Sequence, residues 1–143
     1  MIQEKDWILR IIKQVADFIV RALKLASQQK KEEALATLES ACGTALGMEW
    51  QGLSLVDSAS AAELLREPAR ILGFAQLLEA MGQVHERSGT PEKARSRYQH
   101  ALEMACEVLR RKPELAEAKA LRERLAPKVD LALLPERYRA QLG

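Results

Sequence analysis

Residues 74–112 read FAQLLEAMGQVHERSGTPEKARSRYQHALEMACEVLRRK, and this stretch carries the firmest structural signal in the sequence. Ser88 and Gly89 separate two runs in which apolar residues recur every three to four positions. That period is typical of amphipathic helices, and Gly89 is a natural break between two of them. Thr90 followed by Pro91 is a start signal for the second helix, with Thr90 as its N-cap. The stretch therefore predicts a helical hairpin.

The spacing within this hairpin resembles that of the tetratricopeptide repeat. The matching positions are Leu78, Met81, Gly82, His85, Gly89, Ala94, Tyr98 and Ala101. Small residues at Gly82, Ala94 and Ala101 would let two antiparallel helices approach closely, with Tyr98 filling the space between them. His85 stands where the family has an aromatic residue, and Pro113 comes about seven residues too late for the family's roughly 34-residue unit.

The resemblance implies an all-α fold of antiparallel hairpins stacked in a right-handed array. A weaker copy of the pattern lies 60 residues earlier, at Ala22, Leu25, Gln29, Ala34, Leu38 and Ala41. We expect one domain of about five main helices, plus short connecting and C-terminal helices. Its parts are an N-terminal hairpin (1–47), a connection with a short helix (48–67), the repeat-like hairpin (68–112) and C-terminal capping helices (113–143).

Periodicity and capping signals set the expected helix bounds. The long helices are predicted over 3–29, 31–46, 68–87, 91–112 and 113–125. Gly47 is a plausible left-handed cap for the second, and Ser60 with Glu63 reads as a capping box that opens the short helix. The residues expected to pin the connection to the core are Trp50, Leu53, Leu55 and Val56. Leu131, Leu134, Tyr138 and Leu142 are available to cover an exposed end.

The first helix carries an apolar surface broader than a single buried face requires. Its apolar residues are Trp7, Ile8, Leu9, Ile11, Ile12, Val15, Phe18, Ile19, Val20, Ala22, Leu23, Leu25 and Ala26. Exposed apolar area of this extent usually marks an interface, so we predict self-association through this helix as a homodimer. The residues predicted at the contact are Ile8, Ile12, Ile19 and Leu23.

In tetratricopeptide proteins the first helix of each hairpin lines the binding groove. Carried onto this sequence, the resemblance places Gln76, Glu79, Gln83 and Glu86 in that groove. Some family members clamp a terminal carboxylate with Lys, Arg and Asn, which are missing at these positions, so an acidic C-terminal peptide is not expected. The equivalent positions of the first hairpin are Ala16, Ile19, Leu23 and Ala26. Because they are apolar or small, either the 48–66 connection or another chain should cover them.

No catalytic, cofactor-binding or metal-binding residues are predicted. His85 and Glu86 lack the second histidine four residues on that a helical zinc site requires, so His85 is interpreted as a packing residue. Cys42 and Cys106 have no His or Cys neighbour at metal spacing and are expected to be buried free thiols. An enzyme would need Glu79 and Glu86 to converge on a buried pocket, which their periodicity does not suggest.

Composition and charge limit the remaining classes of function. The chain is 48% apolar and 29% charged with a formal net charge of +2, which suits a globular helical protein and gives no strong field for nucleic acid. Charges such as Arg10, Lys13 and Asp17 interrupt the most apolar segment, so no membrane helix is predicted. Acidic residues near the start are unlike a secretory signal, which indicates a cytoplasmic protein.

The opening residues 4–10, EKDWILR, are similar to the start of a small uncharacterised bacterial family of helical proteins with no assigned function. That resemblance implies no activity. The leading hypothesis is therefore a non-enzymatic protein–protein interaction or scaffold module. The alternative is a regulatory domain that holds a small ligand in a pocket between the first helix (3–29) and the third (68–87).

Overall fold

The computed structural model describes residues 4–142, and over these residues the chain is helical, without a strand. This confirms the all-α class. In chain order the α-helices are α1 (Glu4–Ser27), α2 (Lys31–Ala41), α3 (Trp50–Ser54), α4 (Ser58–Leu65), α5 (Pro68–Arg87), α6 (Pro91–Arg111), α7 (Ala116–Leu125) and α8 (Glu136–Leu142). A π-helical turn spans Cys42–Leu46, and 3₁₀ turns span Ala126–Lys128 and Leu131–Leu133. Gln3, where the first helix is predicted to begin, lies outside the described residues.

The hairpin of α5 and α6 forms the centre of the molecule, since these two helices share the most extensive contact. Pro68 and Pro91 each lie in the first turn of their helix, where a missing N–H costs no hydrogen bond. Gly89 turns the chain between the helices with a φ of 76°, in the left-handed region that glycine adopts readily. The predicted bounds of α5 are confirmed, and α6 ends one residue before the predicted Lys112.

The N-terminal hairpin of α1 and α2 packs on α5. Gly73 of α5 marks the tightest point, because a Cβ built there would lie 2.9 Å from Cδ2 of Leu46 and 3.2 Å from Cγ2 of Val15. Helix α2 continues into the π-helical turn, which ends at Gly47. The φ of 76° at Gly47 confirms the predicted left-handed cap. Helices α1 and α5 are therefore in direct contact where Gly73 meets Val15.

The connection made by α3 and α4 packs chiefly on α6 and α5. Phe74 of α5 lies between two rings, with its centroid 6.2 Å from that of Trp50 and 5.4 Å from that of His100, which it meets edge to face. Leu53 is fully buried beside it. Trp50 and Leu53 thus pin the connection as predicted. Leu55 does not, because it is 86% exposed at the residue that ends α3.

The start of α4 differs from the prediction. The helix begins at Ser58, and its N-cap is Asp57, whose carboxylate accepts a hydrogen bond of 2.7 Å from the backbone N–H of Ser60. Ser60 therefore lies inside the first turn, and the predicted capping box of Ser60 with Glu63 is wrong. Asp57, three residues before Ser60, accepts a hydrogen bond from a backbone N–H that the helix itself leaves unpaired.

Two further helix starts are corrected. Thr90 precedes α6, but its side chain does not cap that helix. Its hydroxyl instead donates to the carbonyl of His85 at 3.1 Å and lies 3.0 Å from His85 Nδ1, which closes the turn between α5 and α6. Pro113 was predicted to open the fifth helix, yet α7 begins at Ala116 after a turn. Because a proline is also well placed in such a turn, it fixes a helix boundary only to within a few residues.

The C-terminal part covers α6. Helix α7 packs on α6, and α8 is attached to the same helix at Cys106 and Glu107. Of the tail residues expected to cover an end, Leu134 and Tyr138 are buried and Leu142 is half-buried, whereas Leu131 is exposed. The core therefore extends from the α1–α2 hairpin through α5 and α6 to this tail.

Candidate interaction surface

Helix α1 carries three of the large apolar side chains that the described chain leaves exposed. These are Leu9, Ile12 and Val20, exposed by 53%, 38% and 67%. At about 100° per residue they fall on the same side of the helix as the exposed Ala16 and the half-buried Ile19 and Leu23. We refer to these residues as the α1 stripe, namely Leu9, Ile12, Ala16, Ile19, Val20 and Leu23.

A neighbouring side of α1 makes the contact with the rest of the protein. Ile11, Val15 and Ala22 are buried there against α2 and α5. These residues are about 90° to 130° around the helix from the centre of the α1 stripe. The helix is therefore apolar on two sides, and the fold buries only one of them.

Of the four residues predicted at the contact, Ile12, Ile19 and Leu23 belong to the α1 stripe and Ile8 lies beside it. Ile12 is exposed, whereas Ile8, Ile19 and Leu23 are half-buried where the α1 stripe meets the core. Leu9 and Val20, which the prediction left out, are the more exposed. A helical wheel centred on the buried Ile11, Val15 and Ala22 would have identified both, because they lie farthest around the helix from that centre.

The 48–66 connection leaves the α1 stripe open. Its helix α4 packs on α6 and α5, on other parts of the molecule. Ala16, one of the positions that either this connection or another chain should cover, remains exposed. Ile19, Leu23 and Ala26 are only partly covered.

The four predicted groove residues lie on α5, at spacings of three and four. Gln76 and Gln83 are half-buried. Arg124 of α7 binds the Glu79 carboxylate with two hydrogen bonds of 3.0 and 3.1 Å, and Lys128 lies 3.5 Å from the Glu86 carboxylate. Both acids are therefore engaged by the chain that follows α6.

A buried carboxylate ties α8 to α6. Glu107 is only 1% exposed, and it accepts hydrogen bonds of 2.9 Å from Arg111 and Arg137 and of 2.5 Å from the Tyr138 hydroxyl. Arg110 lies at 3.5 Å. The carboxylate also helps to raise the pKa of Tyr138, after the larger effect of burial. With its charge neutralised and its oxygens occupied, Glu107 acts as a structural anchor.

A polar cleft of about 840 Å³ lies between residues 54–58 and α6. Ser58 donates a hydrogen bond of 2.5 Å to the Glu103 carboxylate, and Arg97 also lines the cleft. Burial, assisted by the charge of Arg97, lowers the pKa of His100 in this cleft to about 4. His100 is therefore neutral at physiological pH.

The remaining nucleophilic and ligating side chains are enclosed. Cys42 and Cys106 are buried free thiols, as predicted, and burial raises their pKa to about 12 and about 11. His85 is buried, and its ring is hydrogen-bonded to the Thr90 hydroxyl, which fits the predicted packing role. Within residues 4–142 there is no group of three or more His, Cys, Asp or Glu side chains that could hold a metal ion.

Comparison with known proteins adds no relative. No protein-family model matches the chain, and neither a curated protein nor a solved structure matches it. Among the described residues, no helix is both long enough and apolar enough to cross a bilayer.

Proposed function

We propose that this protein is a non-enzymatic protein–protein interaction or scaffold module that self-associates through α1. The observation that carries the proposal is the α1 stripe, where Leu9, Ile12 and Val20 are exposed on the same side of the helix. Water-exposed leucine, isoleucine and valine in one row along a helix are well suited to pack against a second helix. The fold supplies the rigid support, since α1 is held along its other side by α2 and α5.

The arrangement of the hairpins supports a tetratricopeptide-like stacking as part of this proposal. Helix α5 contacts both α1 and α2, as the first helix of a repeat contacts both helices of the repeat before it. The small residues Gly82, Ala94 and Ala101 are buried around Tyr98 at the contact between α5 and α6. In this arrangement α1 is the first helix of the first hairpin, the type of helix that lines binding surfaces in the family.

The size of the α1 stripe sets the expected strength of the contact. Covering a side chain that is about half exposed contributes on the order of 1 kcal/mol. Leu9, Ile12 and Val20 from two copies would then contribute about 6 kcal/mol, before Ile19 and Leu23 are included. Association costs at least about 4 kcal/mol in lost translational and rotational freedom. The balance of about 2 kcal/mol corresponds to a dissociation constant of tens of millimolar, which burial of Ile19 and Leu23 would lower toward about 1 mM. We therefore expect a weak, reversible dimer that forms at millimolar protein concentration.

Light scattering across a range of concentrations tests the proposal. Wild type should approach twice the mass of one chain as concentration rises, and Ile12→Glu should remain monomeric because it places a charge in the contact. Leu55→Glu is the matched control, since Leu55 is 86% exposed and lies off α1, and it should behave as wild type. A wild-type protein that stays monomeric at millimolar concentration would exclude self-association.

Circular dichroism accompanies this experiment. Ile12→Glu and Leu55→Glu should both keep the helical spectrum of wild type, because both side chains are already open to solvent. A loss of mass together with a loss of helix would show that Ile12 supports the fold instead of the contact.

The cleft beside α6 supports the alternative of a small-ligand regulatory domain. It lies away from α1, whereas the sequence places such a pocket between α1 and α5, which meet directly at Gly73 and Val15. The cleft offers both an arginine and a carboxylate, Arg97 and Glu103, to a polar ligand. Native mass spectrometry of the purified protein and a thermal-shift screen of polar metabolites, with Arg97→Ala as control, would test it. Binding that is unchanged in Arg97→Ala would exclude this cleft.

A further inference from the structure

One flank of the α1 stripe carries exposed charges in an alternating order. Asp6, Lys13, Asp17 and Lys24 lie next to the stripe on the side that faces away from α2 and α5, and all four are exposed. Along the helix their signs run negative, positive, negative, positive. Two further exposed cations, Arg10 and Arg21, lie about 40° and 60° farther around the helix from the α1 stripe, outside this row. The order is antisymmetric about residue 15, which is the midpoint of Asp6 and Lys24 and also of Lys13 and Asp17.

This order fits a particular symmetry. A two-fold axis perpendicular to two antiparallel helices brings the same flank of both helices to the same side of the contact. If the axis passes at the level of residue 15, Lys13 faces the partner's Asp17 and Asp6 faces the partner's Lys24. Each pair occurs twice, so four opposite-charge pairs border the contact. Charges beside an apolar helix contact are known to select partner and orientation.

The apolar residues fit the same register. With residue 15 at the axis, Leu9 lies opposite the partner's Val20 and Leu23. Ile12 lies between the partner's Ala16 and Ile19. The small side chain of Ala16 falls close to the axis, where the two helices must approach most closely.

A parallel pair would lose this charge match. A two-fold axis along the helices places the charged flank of one copy against the opposite flank of the other. That opposite flank carries Ile8 and Ala26 and continues into the body of the protein. Asp6, Lys13, Asp17 and Lys24 would then lie near apolar surface, without oppositely charged partners.

We infer that the occupant of the α1 stripe is a second copy of this chain, docked antiparallel about a two-fold axis at residue 15. The inference rests on the proposed self-association through α1 and adds its orientation and register.

Cysteine cross-linking tests the orientation. Leu9→Cys and Val20→Cys place thiols at two exposed positions that only the antiparallel pair brings together. On mild oxidation, a mixture of the two variants that differ in tag length should give a covalent heterodimer, and neither variant alone should cross-link. Wild type, whose Cys42 and Cys106 are buried, is the control. Self-linking of Leu9→Cys would show a parallel pair and overturn the inference, and so would a dimer that cross-links in no combination.

Charge reversal tests the register. Lys13→Glu should weaken the dimer about 10-fold, because it turns two attractive pairs into repulsive ones. The double variant Lys13→Glu with Asp17→Lys should restore wild-type affinity in sedimentation equilibrium. If the double variant is instead as weak as its two single changes combined, the proposed register is wrong although self-association through α1 stands. A monomeric wild type would refute the proposed self-association itself.

Discussion

Gly82 of α5 lies directly against the ring of Tyr98 on α6. A Cβ built on Gly82 would lie 2.6 Å from Cδ1 of Tyr98, and both residues are buried. Gly82→Ala therefore forces the ring out of its site at the centre of the hairpin. Overpacking of this kind costs about 1–3 kcal/mol, against a gain of about 1 kcal/mol in helix propensity. We expect a net loss of up to about 2 kcal/mol in the free energy of unfolding, measured by urea denaturation.

Gly52→Ala is the control for that prediction. Gly52 lies in the short helix α3, and a Cβ there meets nothing within 4 Å. The same chemical change should therefore leave stability unchanged or raise it by up to about 1 kcal/mol. Equal effects of the two substitutions would mean that the contact between Gly82 and Tyr98 does not limit the helix separation.

Local sequence signals predicted the long helices well. Pro68 and Pro91 in the first turns, and Gly47 and Gly89 in left-handed turns, depend only on backbone conformation and on neighbours along the chain. The same type of signal failed at Thr90. Its hydroxyl had two local uses open to it, capping α6 or bonding to His85, and the choice depends on how α5 and α6 pack.

Some contacts of the predicted groove residues depend on distant parts of the chain. Glu79 and Glu86 are predicted to line a binding groove, and Arg124 and Lys128 engage them from positions 45 and 42 residues away. Periodicity places a residue on a face of its helix and contains no information on which side chain comes to meet it. For α1 the sequence predicts the breadth of the apolar surface. Which part of that surface is exposed depends on how α2 and α5 pack against the helix.

Glu107 should dominate the attachment of α8. Glu107→Ala removes the acceptor for Arg111, Arg137 and the buried hydroxyl of Tyr138. Because the arginines can turn into solvent, we expect a loss of about 2–4 kcal/mol, smaller than for a fully buried pair. Urea denaturation gives the global loss. Limited proteolysis, which cuts where backbone opens, should give earlier cleavage within 126–142.

Tyr138→Phe and Arg139→Ala measure how much individual contacts of α8 contribute to stability. Tyr138→Phe loses a single hydrogen bond to Glu107 and should cost about 1–2 kcal/mol. Among residues 4–142 Arg139 pairs only with the exposed Glu136 in α8, so its removal should cost less than about 0.5 kcal/mol. If Glu107→Ala is no more harmful than Arg139→Ala, Glu107 is not the anchor of α8.

Arg66 occupies a strained turn between α4 and α5. Its φ of 64° and ψ of −60° are those of a classic γ-turn, with the N–H of Glu67 donating to the carbonyl of Leu65 at 2.7 Å. Side chains at such a φ are disfavoured, and Arg66 is exposed, so its side chain offers little to compensate. Arg66→Gly should raise the free energy of unfolding by up to about 1 kcal/mol. Arg66→Ala keeps the strain and should not stabilise, and a stabilisation equal to that of glycine would contradict this explanation.

His100 should make stability depend on pH in a defined window. Burial, with the charge of Arg97, lowers its folded-state pKa to about 4 from an ordinary value of 6.5. Between those values the unfolded chain binds a proton that the folded chain does not, so stability falls as pH drops from 6.5 to 4 and is constant with respect to this group above 6.5. The loss attributable to His100 is on the order of 3 kcal/mol.

The urea midpoint measured at intervals from pH 4 to pH 8 gives this dependence, and His100→Gln is the variant that isolates it. His85, whose pKa burial also lowers, should leave a residual slope of the same sign in that variant. His100→Gln also loses the edge contact with Phe74 and should therefore be less stable than wild type at pH 8. Below pH 6.5 the two curves should converge, because only wild type loses the contribution of a neutral His100. Curves that stay parallel from pH 8 to pH 4 would show that His100 titrates alike in the folded and unfolded chain.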